Sequence, residues 1–161
     1  MWEDRSQGGI SLVGDLIEDL LGRGIEVRVR VTGESMRPLL RGDELATVVR
    51  VSPPALRRGD LVLCRSREGY LVLHRIVRLA GEGESRRCWT RGDALAACDD
   101  AFGPGQILGR VTRIQGLRLP SAPAVVGTAS RYWRSASRCC LAFARLRVLA
   151  GRVRGRLARI S

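Results

Sequence analysis

The sequence contains no lysine, and this absence restricts the chemistry available to the chain. All 28 basic residues are arginines, which excludes any hydrolytic mechanism that uses a lysine amine as its general base. Histidine is almost as scarce, because His74 is the single one in the chain. His74 is therefore the one obvious side chain for general-base catalysis near neutral pH.

Long apolar runs are also missing, since none approaches the roughly 20 residues that a membrane-spanning helix requires. The N-terminus is acidic, with Glu3 and Asp4, and so lacks the basic start of a signal peptide. The five cysteines show no CxxC pair and no metal-ligand spacing, and their odd number favours reduced thiols. They are Cys64, Cys88, Cys98, Cys139 and Cys140. We expect a cytoplasmic protein, at most peripheral at a membrane, that uses no metal or cofactor.

The formal net charge of +12 is concentrated near the end of the chain. Residues 128–161 carry nine arginines and no acidic residue, which leaves a net charge of +3 for all the rest. Apolar residues recur there at spacings of four and three, which predicts a long basic amphipathic helix. These residues are Tyr132, Ala136, Cys139, Phe143, Leu146, Ala150, Val153, Leu157 and Ile160. Residues 120–127, rich in Pro, Ala and Ser, are predicted to be a linker to this helix.

Three partners suit a helix of this kind. It can lie on an anionic membrane surface, with the apolar stripe down and the arginines at the headgroups. It can pack on a partner helix or on the rest of the protein. It can also bind nucleic acid through its arginines, with Tyr132 and Trp133 stacking on bases.

The chain before the linker predicts a mainly β domain over 10–119, preceded by disordered residues 1–9. Helical spacing of apolar residues predicts a short helix over 11–21. Apolar alternation and short turn intervals then predict antiparallel strands. The predicted strands are 25–32, 44–51, 60–65, 70–79, 87–91 and 106–119.

Four residues form a candidate catalytic set. Ser35 follows the first strand, His74 lies within a later strand, and Asp93 and Asp99 lie in the loop after strand 87–91. A serine becomes a nucleophile when a base removes its proton, and an acid behind a histidine fixes the ring's tautomer. Each residue also has an ordinary explanation, as a turn serine, a core histidine or turn aspartates.

Several short segments resemble the conserved boxes of type I signal peptidases. The segment 35–43, with Ser-Met, a proline and Gly-Asp, resembles the nucleophile box, and 58–62 resembles the second box. The segment 73–77, Leu-His-Arg-Ile-Val, resembles the third box of the endoplasmic-reticulum and archaeal branch, which has histidine in place of lysine. The segment 90–100 resembles the last box, and 105–111 resembles the strand that closes the family's sheet.

This resemblance implies a partly open antiparallel barrel with serine endopeptidase activity on a leader or precursor peptide. It implies that Ser35 is the nucleophile, His74 the general base and Asp99 the carboxylate that orients His74. Asp93 would support the loop or share that role. The substrate would bind as an added strand and be cleaved after small residues.

The chain departs from the family pattern in three places. A short acidic helix stands where signal peptidases have a transmembrane anchor. Ala94 and Leu95 follow the last Gly-Asp, where asparagines are usual in the histidine branch. Gly33 has no hydroxyl to stabilise an oxyanion, so the backbone N–H of Ser35 would have to serve.

Two other functions fit parts of the sequence. Self-cleaving repressor-type proteases share this fold, but they use a lysine base and carry a DNA-binding helix-turn-helix. A non-catalytic peptide- or nucleic-acid-binding module on a peptidase fold would account for the altered last box and the arginine-rich end.

Overall fold

The computed structural model describes residues 6–118, 123–131, 133–135, 137–139 and 142. Within these residues, one long α-helix precedes seven strands, and three single turns of 3-10 helix lie between strands. The elements are α1 (Ser6–Gly22), β1 (Val27–Arg30), β2 (Leu45–Val49), β3 (Leu61–Arg65), β4 (Leu71–Ala80), β5 (Arg87–Arg91), β6 (Ile107–Gln115) and β7 (Val125–Gly127). Among the described residues, no helix has both the length and the apolar character needed to cross a bilayer.

The seven strands form one sheet in the order β1-β2-β6-β3-β4-β5, with β7 also paired to β6. Every pairing is antiparallel. The predicted antiparallel β architecture is therefore confirmed. β1 and β5 are the outer strands of this order, and β4 lies next to β5.

The sheet has a separate apolar cluster on each side. The main core contains Leu61 of β3 together with Ile17 and Leu21 of α1. The second cluster contains Val62 of β3 and five other buried residues. They are Leu56, Cys64, Ile76, Cys88 and Phe102.

Two neighbouring residues of β4 point to these two sides. His74 pairs with Val62, and Arg75 pairs with Leu61. Cross-strand partners project from the same face of a sheet, and successive residues project from opposite faces. His74 is therefore on the side of the second cluster, and Arg75 is on the side of the main core.

The N-terminal helix begins earlier than its apolar pattern indicates. α1 starts at Ser6 and not at residue 11, so the expectation of disorder is wrong for residues 6–9. Gly8 and Gly9 have low helix propensity, which hid this first part of the helix. Residues 1–5 lie outside the described residues.

The predicted linker also contains a structural element. Residues 125–127 form β7, and Val126 of this strand pairs with Ile114 of β6. Val126 is buried in the main core. The linker prediction is therefore wrong for this segment, because a three-residue strand is too short to give a visible alternation among Pro, Ala and Ser.

Of the predicted C-terminal helix, the described residues between 131 and 142 are helical. Trp133 and Ser137 are buried there, whereas Cys139 of the predicted apolar stripe is exposed. The large Trp133 side chain packs in the main core, which sets the orientation of this segment and removes its ring from base stacking. Residues 143–161 lie outside the described residues, so the long helix stays a prediction.

Candidate active site

Ser35 lies in a closed loop between β1 and β2. The Val31 N–H donates to the Glu44 carbonyl over 2.8 Å, and the Asp43 N–H donates to the Val31 carbonyl over 3.0 Å. The Glu44 carboxylate is buried and accepts from the Arg41 N–H over 2.9 Å. These bonds close the base of the loop and fix where it leaves the sheet.

Apolar side chains hold the same loop against the sheet. Met36, Leu39 and Leu40 are buried in the main core. Ser35 itself is half-buried. The loop is thus anchored from within, and the serine remains near the surface.

The serine hydroxyl meets the histidine ring. Ser35 Oγ lies 3.1 Å from His74 Nε2, although the residues are 39 positions apart in the chain. His74 is 7% exposed, so its ring is held inside the fold while the serine side remains reachable.

The other ring nitrogen of His74 faces a carboxylate. His74 Nδ1 lies 2.6 Å from Asp99 Oδ2. Because a carboxylate only accepts hydrogen bonds, Nδ1 carries the proton, and the lone pair of Nε2 faces the Ser35 hydroxyl. This tautomer is the one that a general base requires.

Asp99 is itself held in position by β5. The Thr90 hydroxyl donates to Asp99 Oδ2 over 2.5 Å, and the Asp99 N–H donates to the Thr90 carbonyl over 2.9 Å. Thr90 is fully buried. Thr90 was not among the predicted site residues, because nothing in the sequence of a strand residue marks such a contact.

Gly92 is a second residue that the sequence analysis missed as part of the site. A Cβ at this position would lie 2.6 Å from the Ser35 carbonyl oxygen and 3.1 Å from His74 Nε2. The neighbouring Ala94 N–H donates to the same carbonyl over 2.8 Å. The loop after β5 therefore packs directly on the serine, and only glycine fits at this point. The Gly-Asp pair indicated a turn, but no sequence pattern indicated this close approach.

Asp93 contacts a different partner. Its two carboxylate oxygens accept from Arg75 Nε over 2.8 Å and from Arg75 Nη2 over 2.7 Å. The side chains are 2% and 1% exposed. Arg75 also donates to the Gly59 carbonyl over 3.0 Å. Of the two roles considered for Asp93, these contacts match support of the loop, whereas Asp99 is the carboxylate at His74.

The buried Cys64 thiol is not a nucleophile in this fold. Burial raises the pKa of the Cys64 thiol far above its ordinary value, and the charges of Cys88 and Asp99 add to the effect. A thiol is nucleophilic as its thiolate. Cys64 therefore remains a protonated core residue.

The arrangement joins a hydroxyl, an imidazole and a carboxylate in the order that nucleophilic catalysis requires. A scan against protein-family models and a search of curated proteins found no match to this chain. The chemistry of the site therefore follows from its own geometry.

Proposed function

We propose that the protein is a serine endopeptidase of signal-peptidase type that cleaves a leader or precursor peptide. One observation carries the proposal: Ser35 Oγ, His74 Nε2 and Asp99 Oδ2 form a continuous chain of contacts through the imidazole. These residues come from three separate segments of the sequence. A turn serine and a core histidine have no structural reason to meet in this order.

In the proposed reaction, Ser35 Oγ attacks the scissile carbonyl while His74 Nε2 takes its proton. Asp99 stabilises the resulting imidazolium and keeps the ring from turning. His74 then gives the proton to the leaving amine, and the C–N bond breaks to leave an acyl-enzyme. Water, deprotonated by the same ring, releases the acyl group and restores Ser35.

The oxyanion of the tetrahedral intermediate needs a hydrogen-bond donor near Ser35. The Ser35 N–H donates to no acceptor among the described residues, so this group is free for that role. Gly33 offers no side-chain donor. A backbone donor alone gives the enzyme less stabilisation than a site with two donors, since one such donor is worth about 3 kcal/mol of barrier.

The position of β1 supports an extended peptide as the substrate. β1 is an outer strand of the sheet, and it leads directly into the loop that carries Ser35. A substrate strand added along this edge would reach the serine with its backbone hydrogen-bonded. Cleavage after small residues follows from the family resemblance and is part of the proposal.

The test is incubation of the full chain with a library of proteome-derived peptides, followed by mass spectrometry of new termini. Wild type should generate new termini, and Ser35→Ala and His74→Ala should not. Ser52→Ala is the matched control, because Ser52 is exposed and caps no backbone group through its side chain. Equal processing by wild type and both site variants would end the proposal.

A further inference from the structure

A large cleft lies between the sheet and the helical segment that begins at residue 131. Its volume is about 1550 Å³. Its walls include Gly59, Asp60 and Ile76 on one side and Trp133 and Ser137 on the other. We call it the arginine cleft, because its lining includes Arg57, Arg58, Arg75, Arg91, Arg110, Arg131, Arg134 and Arg138.

The arginine cleft holds half of the protein's net positive charge. Its eight arginines face one lining carboxylate, Asp60, and Arg75 is paired with the buried Asp93. Two carboxylates against eight guanidinium groups leave a net charge of +6, half of the chain's +12. Like charges gathered in a concave site repel one another and strengthen the local positive field. Such a field attracts an anion.

Most of these guanidinium groups are unpaired. Arg75 is bound by Asp93, and Arg110 lies 3.5 Å from Asp60. The other six arginines have no carboxylate within 4.0 Å among the described residues. Elsewhere the protein does pair its arginines: Arg23 and Arg113, for example, each contact an acidic side chain within 3 Å. Other exposed arginines, such as Arg28 and Arg67, also have no carboxylate within 4.0 Å in the described part of the chain. The cleft differs because it gathers six such arginines on one concave surface.

We propose that the arginine cleft binds the phosphodiester backbone of a nucleic acid strand. Guanidinium groups bind phosphate oxygens in a bidentate manner. The volume exceeds the 300–1,000 Å³ of typical small-molecule pockets, which suits a chain. A nucleic acid strand offers a negative charge at every link, so it can contact several arginines at once.

Among the described residues that line the cleft, no aromatic ring is exposed for stacking on bases. The aromatic residue of the lining, Trp133, is 3% exposed, and the Arg75 guanidinium lies 5.9 Å from its ring centroid. Strand binding would therefore be electrostatic and insensitive to sequence.

Two other anionic partners fit less well. A flat bilayer surface cannot follow the concave wall to its buried floor at Arg75 and Ser137. An acidic peptide would need carboxylates at regular intervals to match the same density of charge. Both partners serve as competitors in the test.

The test is fluorescence anisotropy of the full chain with a labelled 20-nucleotide thymidine strand at several salt concentrations. The variant Arg58→Gln/Arg134→Gln/Arg138→Gln removes exposed arginines from both walls. Each phosphate contact on a single strand contributes about 0.7 to the slope of log affinity against log salt. We expect the slope to fall by about two and the affinity at 0.1 M salt to fall by about 100-fold. Strands of other sequence should bind like the thymidine strand.

Two matched variants isolate the cleft from net charge. Arg28→Gln/Arg41→Gln/Arg67→Gln removes three exposed arginines outside it, and Arg152→Gln/Arg154→Gln/Arg156→Gln removes three from residues 143–161. Each should weaken binding by about threefold or less, because salt screens charges that make no direct contact with a phosphate.

The proposal would be overturned if either matched variant lost as much affinity as the cleft variant, or more. Equally tight binding of polyglutamate or of vesicles containing phosphatidylglycerol would overturn it as well. Far-ultraviolet circular dichroism checks the fold of each variant. If the triple cleft variant is unfolded, the single exposed substitution Arg134→Glu replaces it, and unchanged affinity in that variant would also overturn the proposal. Peptidase activity is not measured, so failure here is separate from failure of the proposed function.

Discussion

Adjacent residues of β4 each bind an aspartate from the loop after β5, but the two pairs are built differently. His74 and Asp99 contact through one bond of 2.6 Å, and the Asp99 side chain is 24% exposed. Arg75 and Asp93 contact through two bonds, with both side chains sealed from water. One pair ends at a reachable serine hydroxyl, and the other ends in the core.

The two pairs together show how one loop can be both rigid and reactive. The sealed pair fixes the loop to β4, because a fully buried charge pair cannot open without leaving an unpaired charge in the core. The loop then carries Gly92 and Asp99 to the other face of the strand. The position of the His74–Asp99 pair thus depends on the buried Arg75–Asp93 pair.

The largest expected effect is on stability and separates the two pairs. Arg75→Ala leaves Asp93 buried without a partner and should lower the free energy of unfolding in urea by about 3–5 kcal/mol. Asp99→Ala removes a more exposed hydrogen-bonded group and should cost about 1 kcal/mol. Replacing both buried partners, as in Arg75→Met/Asp93→Leu, should recover much of the loss. Equal costs for the two single variants would remove the distinction.

A smaller effect is expected when the loop is pushed away from the serine. The Cβ of Gly92→Ala would meet Ser35 and His74 and shift the loop by a fraction of an ångström. A displacement of about 1 Å at a catalytic pair can cost about 10²-fold in rate, which kcat/KM on a cleaved library peptide would measure. Gly105→Ala is the control, because a Cβ there meets nothing within 4 Å. Equal rates for both alanine variants would show that the close contact does not position the dyad.

Removal of the Thr90 hydroxyl, which donates to Asp99, should lower the catalytic rate by a smaller factor. Thr90→Val keeps the shape of the side chain and removes its hydrogen bond to Asp99. A bond of this type contributes about 1–2 kcal/mol, so kcat/KM should fall by about 5- to 30-fold. Thr47→Val, at a buried threonine outside the site, is the comparison. A rate unchanged by Thr90→Val would mean that Asp99 is held by other contacts.

The smallest expected effect is the difference between buried and exposed cysteines in their reaction with iodoacetamide. Burial raises the pKa of the Cys88 thiol to about 11, whereas Cys98 and Cys139 are exposed. Iodoacetamide at pH 8 should modify the two exposed cysteines and leave Cys64 and Cys88 intact by peptide mass spectrometry. Rapid modification of a buried cysteine would contradict the described core.

The raised pKa of Cys88 also makes the stability of the fold depend on pH at high pH. A thiol with a raised folded-state pKa keeps its proton while the unfolded chain loses one. The stability that Cys88 contributes is therefore complete below pH 9, its ordinary pKa, and is lost as the pH rises toward 11. Cys88→Ala should reduce the slope of this loss.

Much of the fold and part of the site were accessible from the sequence. Alternation located β1, because a half-buried strand alternates, and apolar runs between turn signals located β2 to β6. Because the chain has no lysine and one histidine, His74 was the obvious candidate for a general base. The order of the segments that resemble signal-peptidase boxes indicated Ser35 and Asp99. The partner of Asp93 was not predictable, since Arg75 resembles any other arginine until the sheet register sets it opposite Leu61. The contact of Gly92 with Ser35 depends on tertiary packing, which no local pattern records.

The activation of Ser35 by His74 is tested most directly with a fluorophosphonate probe. Intact-protein mass spectrometry measures the rate at which the probe labels the protein. We expect a single adduct, on Ser35, in the wild-type protein. In His74→Ala, the labelling rate should fall by about 10²–10⁴-fold. Labelling at the same rate in both proteins, or no labelling of wild-type Ser35, would contradict the proposed activation of Ser35 by His74.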